Sequence, residues 1–252
     1  MSARFFIDAP LLPSTLLRLP DAVARHVQVL RLQPGGHITL FNGQPHHGQA
    51  EGAFDAMVER MGRSDVDVIV GDFTPSDRET ARAVHLAVGM PANERMDWLV
   101  EKATELGVAS IQPLTTERSV LRLKAERADK KIAHWRGVAA AACEQSGRNR
   151  VPVIHDMLTL PAWLAGASLH PGARLLLSLQ AGSQPLASAV AALSPGDALT
   201  FLSGPEGGLS GPEEGAALAT GFRGITLGAR VLRSETAPLA CLAYLSLSTL
   251  PQ

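Results

Sequence analysis

Residues 199–247 restrict this chain more than any other stretch: two short apolar runs each open into an unusual turn and then a helix. The first run, 199–202, reads as a buried strand and leads into Gly204-Pro205-Glu206-Gly207-Gly208. Its glycines accept positive φ and let a ligand approach bare backbone. Ser210 then opens a helix, with Pro212 in the first turn and Glu213 placed as a capping-box partner. The second run, 225–227, leads through Gly228, Arg230, Arg233 and Glu235 into a helix with apolar Leu239, Leu242, Ala243 and Leu247. Two strand ends with exposed backbone donors, side by side, predict a ligand crevice at the carboxyl edge of a parallel sheet. A single Gly-rich turn before a helix is commonly only a turn. What lifts this one is its pairing with a second turn that carries two arginines and a glutamate. Neither turn has the spacing of a P-loop or of the GxGxxG dinucleotide fingerprint, which argues against a nucleoside triphosphate or dinucleotide.

Taken in order, residues 1–72 look β-rich. Strands are predicted at 4–7, 16–19, 37–41, 48–54, 56–60 and 66–70, with a short helix at 21–27 capped by Asp21. Asn42-Gly43 is a strong hairpin signal. Short strands at this spacing predict a small β-barrel domain. A polar segment with Pro75, Ser76 and Asp77 predicts a linker at 73–81 and a second domain at 82–252. There a strand at 83–88, an amphipathic helix at 94–106 stopped by Gly107, and a strand at 108–114 form a parallel α/β unit. An alanine-rich helix at 128–143 follows and ends at Glu144-Gln145-Ser146-Gly147-Arg148. A short helix at 161–169, an apolar strand at 173–179 and a small-residue helix at 184–193 lead back to the two turns. The end of that strand, at Leu179, is expected beside them.

GPEGGLS at 204–210 followed by LGARVLRSETA at 227–237 resembles the SPOUT superfamily of knotted methyltransferases. More closely it resembles the bacterial 16S ribosomal RNA uridine-N3 methyltransferase family of the RsmE type. HVQVLR at 26–31, RMDWLVEKATELG at 95–107 and EQSGR at 144–148 extend the resemblance over nearly the whole chain. It implies an α/β fold: a C-terminal SPOUT domain with a parallel sheet, helices on both faces and a deep trefoil knot, preceded by a PUA-like β-barrel. It implies S-adenosyl-L-methionine as cofactor, held by Leu179, Gly204, Pro205, Glu206, Gly207, Gly208, Leu227, Gly228, Val231, Leu232, Thr236 and Ala237. Leu227, Val231 and Leu232 would sandwich the adenine. Contacts to RNA are expected from Arg4, His26, Arg31, Lys102, Arg118, Gln145, Arg148 and Arg230, with a surface ion pair as the alternative role for Lys102. The family is dimeric, each site being completed across the interface. The final helix, 237–250, is apolar on more than one face, which suits either a partner or a central core position.

The chemistry asks little of the protein beyond positioning, because the methyl donor is already activated. Uracil N3 carries a proton that must leave, and a guanidinium stabilises the anion that develops. Arg233 is the first candidate for that role and Arg148 the second; Glu206 or Glu235 could accept the proton, or could cap a helix or pair with an arginine. A related enzyme acting on another base or on a ribose 2′-hydroxyl, and a non-catalytic RNA-binding assembly factor, are the competing readings.

Net charge near zero announces no nucleic-acid partner. Its distribution says more: 118–150 holds nine Lys and Arg against three acids, 9 − 3 = +6, a footprint for phosphates or else a solvated helix face. Cys143 and Cys241 have no metal spacing, no metal site is expected, and a small buried residue is the expected role of Cys143. No apolar run reaches membrane-spanning length, and the expectation is a cytoplasmic protein without a membrane partner.

Overall fold

The computed structural model describes residues 3–49, 51–119, 125–166 and 172–248. The chain divides into two compact units, Met1–Glu79 with Ala140–Val151, and Thr80–Ala139 with Pro152–Gln252.

The first unit begins with β1 (Ala3–Phe6), β2 (Leu16–Arg18), α1 (Asp21–Val29), β3 (His37–Phe41), β4 (Gly52–Met61) and β5 (Val66–Pro75). They form one five-stranded sheet in the order β1-β3-β4-β5-β2; β1 runs parallel to β3 and the other pairs are antiparallel. Alternation sets the register: Ile38 and Leu40 of β3 pair with Ala56 and Phe54 of β4 and point into one core with Val58, Val68 and α1's Val27. The two strands expected at 48–54 and 56–60 are a single β4, bent by an irregularity between Phe54 and Ala56. Asn42-Gly43 makes a local turn, with Asn42 Oδ1 accepting from the Gln44 N–H (3.1 Å) and Gly43 at φ +70°. The β3–β4 connection nonetheless runs on to residue 51, so no two-residue hairpin forms. Pro20, not Asp21, is the N-cap of α1; Asp21 occupies the first turn, where its charge suits the helix dipole.

A single cut in the 73–81 segment is too simple. β5 runs through Pro75, and residues 140–151 belong to the first unit. Side chains explain why. Arg4 donates to the Gly147 and Arg148 carbonyls and to Asn149 Oδ1 (2.8 Å), Asn149 Nδ2 donates to the Ser76 carbonyl (2.8 Å), and Glu144 accepts the Phe6 N–H (3.0 Å).

The second unit holds β6 (Val84–Gly89), α2 (Asn93–Glu105), β7 (Ser110–Thr115), α3 (Ala125–Ser146, its last residues in the first unit), β8 (Val153–Ile154), β9 (Leu158–Thr159) and α4 (Leu160–Ala165). It continues with β10 (Ala173–Leu177), β11 (Gln184–Pro185), α5 (Leu186–Ala191), β12 (Leu199–Ser203), α6 (Gly211–Ala219), β13 (Arg223–Thr226) and α7 (Thr236–Ser248). Its sheet is parallel throughout, in the order β11-β13-β10-β12-β6-β7-β8 with β9 beside β7. The central strands read as continuous apolar runs because both faces are covered. Ala87 and Leu202 pack with Trp163, Ala217 and Phe222 from the α4 and α6 side, while the alternate residues Leu86, Val88 and Phe201 are buried on the other face. The parts of the predicted helices at 167–169 and 249–250 lie outside the described residues. The helix predicted at 184–193 is shortened at its start by β11.

Both cysteines are buried, and burial pushes each thiol up to about 12, so both are protonated at neutral pH. Among the described residues no group of His, Cys, Asp or Glu could hold a metal ion, and no helix is long and apolar enough to cross a membrane.

Candidate active site

The carboxyl ends of β12, β10 and β13 open into a crevice of about 640 Å³. The two strands that launch the motif turns are not neighbours, as the apolar runs alone suggested; β10 lies between them. Three strand ends therefore build the site. The glycine turn follows β12, Ser178-Leu179-Gln180 follows β10, and the arginine turn follows β13.

Local chemistry holds each turn. Gly208 adopts φ +68° and its N–H returns to the Pro205 carbonyl (2.8 Å). A Cβ on Gly204 would meet the Gly208 carbonyl carbon at 2.6 Å, so only glycine closes the turn there. Ser210 N–H donates to Glu213 Oε2 (2.9 Å), the capping-box arrangement expected at the start of α6. In the middle turn, Ser178 Oγ donates to Glu214 Oε2 (2.9 Å) and accepts the Gln180 N–H (3.1 Å). In the arginine turn Gly228 sits at φ +105°, and the Arg233 carbonyl receives the first N–H groups of α7.

The glycine turn is also held from β6. A Cβ on Gly89 would stand 2.6 Å from Pro205 Cδ and 2.8 Å from Pro205 N, atoms that cannot move without moving the turn. Gly89→Ala is expected to weaken binding at the crevice by roughly 10-fold, the usual cost of one overpacked methyl. Calorimetry with S-adenosyl-L-methionine checks it, and an unchanged affinity would show that the turn shifts freely.

The lining suits a ligand that is part apolar and part polar. Leu179 and Val231 are 73% and 77% exposed, large apolar surfaces held in the crevice wall. Ser203 Oγ is buried in the same wall without a hydrogen-bond partner among the described residues. Such surfaces and such an orphaned hydroxyl fit the purine and ribose of a nucleoside-like cofactor. Among the expected cofactor contacts, the 204–208 turn, Leu179, Leu227, Gly228, Val231, Leu232 and Ala237 line the crevice. Thr236 does not; it begins α7, with its N–H on the Arg233 carbonyl.

The candidate charged residues divide sharply. Arg233 and Arg230 line the crevice, are exposed, and show no side-chain partner among the described residues. Arg118 also lines it, donating to the Gly207 carbonyl (2.8 Å). Arg148 is not there. It lies buried in the first unit with its guanidinium bound bidentate to Glu79 (Nε to Oε1 3.0 Å), so it is committed to an ion pair and not offered to a substrate. Arg4 likewise corrects an expected RNA contact: its guanidinium is spent on the 147–149 segment and lies over the Phe41 ring. Burial is the first cause lowering its pKa, the Arg78 charge the second. Lys102 adopts the ion-pair alternative, with Glu101 and Glu105 each at 2.7 Å. His26, Arg31 and Gln145 are exposed; the His26 ring meets Phe5 edge-on, and Arg31 sits at φ +57° just after α1.

Glu206 Oε1 accepts from the Ala92 N–H (2.9 Å) and Arg95 Nη1 (3.2 Å); Glu235 is buried with its carboxylate 3.9 Å from Arg95 Nε. Of the roles weighed for these glutamates, the structure displays arginine pairing. Arg95 itself was missed as a site residue. Two glutamates in turns expected side by side call for a cation, but nothing in the sequence names Arg95, 111 positions from Glu206, as that cation. The basic count over 118–150 dissolves for a similar reason: Lys130 pairs with Glu126, Arg136 with Asp156 and Arg150 with Glu51. Arg122 and Lys124 lie outside the described residues.

Residues 78–246 match the family model for an RNA methyltransferase domain. The chain is similar to the ribosomal RNA small subunit methyltransferase E of Bacillus subtilis, at 30% identity over 91% of this chain and 88% of the relative. The protein of the same name from Synechocystis is 27% identical over 98% and 78%. Among solved structures, that of the ribosomal RNA small subunit methyltransferase E of Neisseria gonorrhoeae bound to S-adenosyl methionine superposes with a TM-score of 0.86, at 32% identity and 98% coverage of both chains. A Legionella pneumophila protein solved with bound SAM gives 0.89, also at 32% identity and 98% coverage of both.

Proposed function

We propose, from the premise that this chain belongs to the RNA methyltransferase family, that it methylates N3 of a uridine in the RNA of the small ribosomal subunit. It is an S-adenosyl-L-methionine-dependent ribosomal RNA methyltransferase. The observation that carries the reading is the crevice at the three strand ends, lined largely by turn backbone and aliphatic surface, where the exposed Arg230 and Arg233 have no side-chain partner among the described residues.

When bound there, S-adenosyl-L-methionine supplies an electrophilic methyl group. The chain's residues do the rest. The 204–208 turn and the turn after β13 orient the donor, and Leu179, Val231 and Leu232 exclude water from its flat base. Arg233 faces the crevice with its guanidinium uncommitted, and steadies the negative charge that spreads over the uracil as N3 loses its proton. Glu206 and Glu235, tied to Arg95, hold the turns, and the proton leaves to solvent. Arg118 and Arg230 draw the RNA backbone to the crevice mouth.

The reading extends to the rest of the chain. The small sheet of the first unit serves as a PUA-like RNA-holding domain, with His26, Arg31 and Gln145 on its exposed surface. The second unit is threaded as a trefoil knot; α7 leaves the arginine turn and returns against α2, Ser246 Oγ donating to the Leu106 carbonyl (2.6 Å). The protein acts as a cytoplasmic homodimer on the assembled subunit. Trp98 on α2 with Tyr244 and Leu247 on α7 are large, exposed and suited to burial in a partner.

Methyl transfer from tritiated donor to small subunits lacking the modification, followed by nucleoside mass spectrometry, tests the reading. The expected product is 3-methyluridine. A methylated ribose or another base would move the enzyme to a sister specificity, and donor binding without transfer to any RNA would make it an assembly factor.

A further inference from the structure

We propose that Arg95 is the positioning residue that locks the glycine turn and the arginine turn into one donor-binding conformation. The inference rests on the cofactor reading above. Arg95 stands in the first turn of α2, just after β6 ends at Gly89. Its Nη1 donates to Glu206 of the glycine turn (3.2 Å), and its Nε faces Glu235 of the arginine turn (3.9 Å).

The sheet provides this link only indirectly, through β10. β12 and β13 are separated by β10, so no ladder of backbone hydrogen bonds joins the two strand ends that carry the turns. Each turn is closed by its own internal bonds, Gly208 to Pro205 in one and Gly228 to Thr226 in the other. Neither of these bonds fixes the distance between the turns. A guanidinium can, because its planar fork presents donors on two sides at once, whereas an ammonium offers one point of charge. Ala92 N–H on Glu206 Oε1 (2.9 Å) anchors the same carboxylate to the start of α2, so the glycine turn is fixed to the helix that carries Arg95. The Glu235 side chain is only 11% exposed and that of Glu206 27%, which keeps water from replacing the pairings freely.

Removing Arg95 would leave Glu206 and Glu235 without their shared cation, two carboxylates that then repel each other. The turns would then part, and the donor would have to order them as it binds. Affinity falls when ordering is deferred to the binding step. Arg95 acts through the turns and need not touch the donor or the uridine.

Arg95→Ala is expected to weaken S-adenosyl-L-methionine binding by roughly 10- to 100-fold, the range for losing a charged hydrogen-bond network. The loss should appear in kcat/KM for the donor, with KM for the small subunit unmoved. Arg95→Lys should recover part of it by meeting one carboxylate. The pair Arg95→Ala with Glu206→Gln should cost no more than Arg95→Ala alone, because both break one tie. Hydrogen exchange of the free protein gives an independent readout: amides in both 204–208 and 228–234 should exchange faster in Arg95→Ala. Faster exchange in the glycine turn alone would overturn the bridge, as would additive losses in the double variant. A raised KM for RNA with donor affinity intact would make Arg95 an RNA contact instead. Should Arg95→Ala fail to fold, Arg95→Lys and Glu206→Gln carry the same exchange and binding comparisons. If the unaltered protein binds no S-adenosyl-L-methionine, the cofactor reading fails, while exchange still decides whether Arg95 joins the turns.

Discussion

Arg233→Ala is expected to bind S-adenosyl-L-methionine within a few-fold of the unaltered protein and to turn over about 100- to 1,000-fold more slowly, the cost of deleting one charge-stabilising donor from an active site. The expectation follows from what the side chain does not do. Arg148, the other arginine proposed for this role, is itself buried and held by the half-buried Glu79 carboxylate, and Arg95 is divided between two glutamates. Arg233 lines the crevice with no side-chain partner among the described residues, so its charge is free to meet charge that appears only during the reaction. Its backbone carbonyl caps the start of α7, and alanine preserves that contact, so the turn should survive the substitution. Single-turnover methylation alongside calorimetry separates the two quantities. Turnover within a few-fold of normal would remove Arg233 from the chemistry; a matching loss of donor affinity would make it a binding residue.

Arg148→Ala should strike the fold instead. The Arg148 and Glu79 side chains are 4% and 15% exposed, and the guanidinium meets the carboxylate in bidentate fashion. Deleting one partner strands the other charge, which costs about 3–5 kcal/mol for buried pairs. In a chain of this size that corresponds to a fall in Tm of roughly 6–20 °C. Thermal unfolding of the first unit reads it. Replacing both partners with apolar residues, Arg148→Met with Glu79→Leu, should recover most of the loss, because the stranded charge disappears with its mate. That double variant also decides function. If it is folded and its turnover is normal, Arg148 is structural. If it is folded and inactive, the arginine belongs to the reaction after all.

The reading of EQSGR shows where sequence reasoning stopped. A helix end followed by glycine and arginine was legible, and α3 does end at Ser146, with Gly147 at φ +83°. What the arginine would meet was not legible, because Glu79 lies 69 positions away in sequence and no local pattern links them. The same holds for Arg95 with Glu206, separated by 111 positions. Long side chains ending in charge carry no period and no propensity that names their partner.

By itself the sequence determined what depends on near neighbours. Glycines at 204, 208 and 228 mark turns that need a close backbone approach at the first and positive φ at the other two, Ser210 with Glu213 starts α6, and apolar runs without alternation give the covered strands of a parallel sheet. Tertiary structure alone decided that β10 separates the two motif strands, that residues 140–151 join the first unit, and which arginines are paired and which have no side-chain partner among the described residues. Strand order and ion-pair partners are settled by which distant surfaces bury one another, a sum over the whole chain that no short window contains.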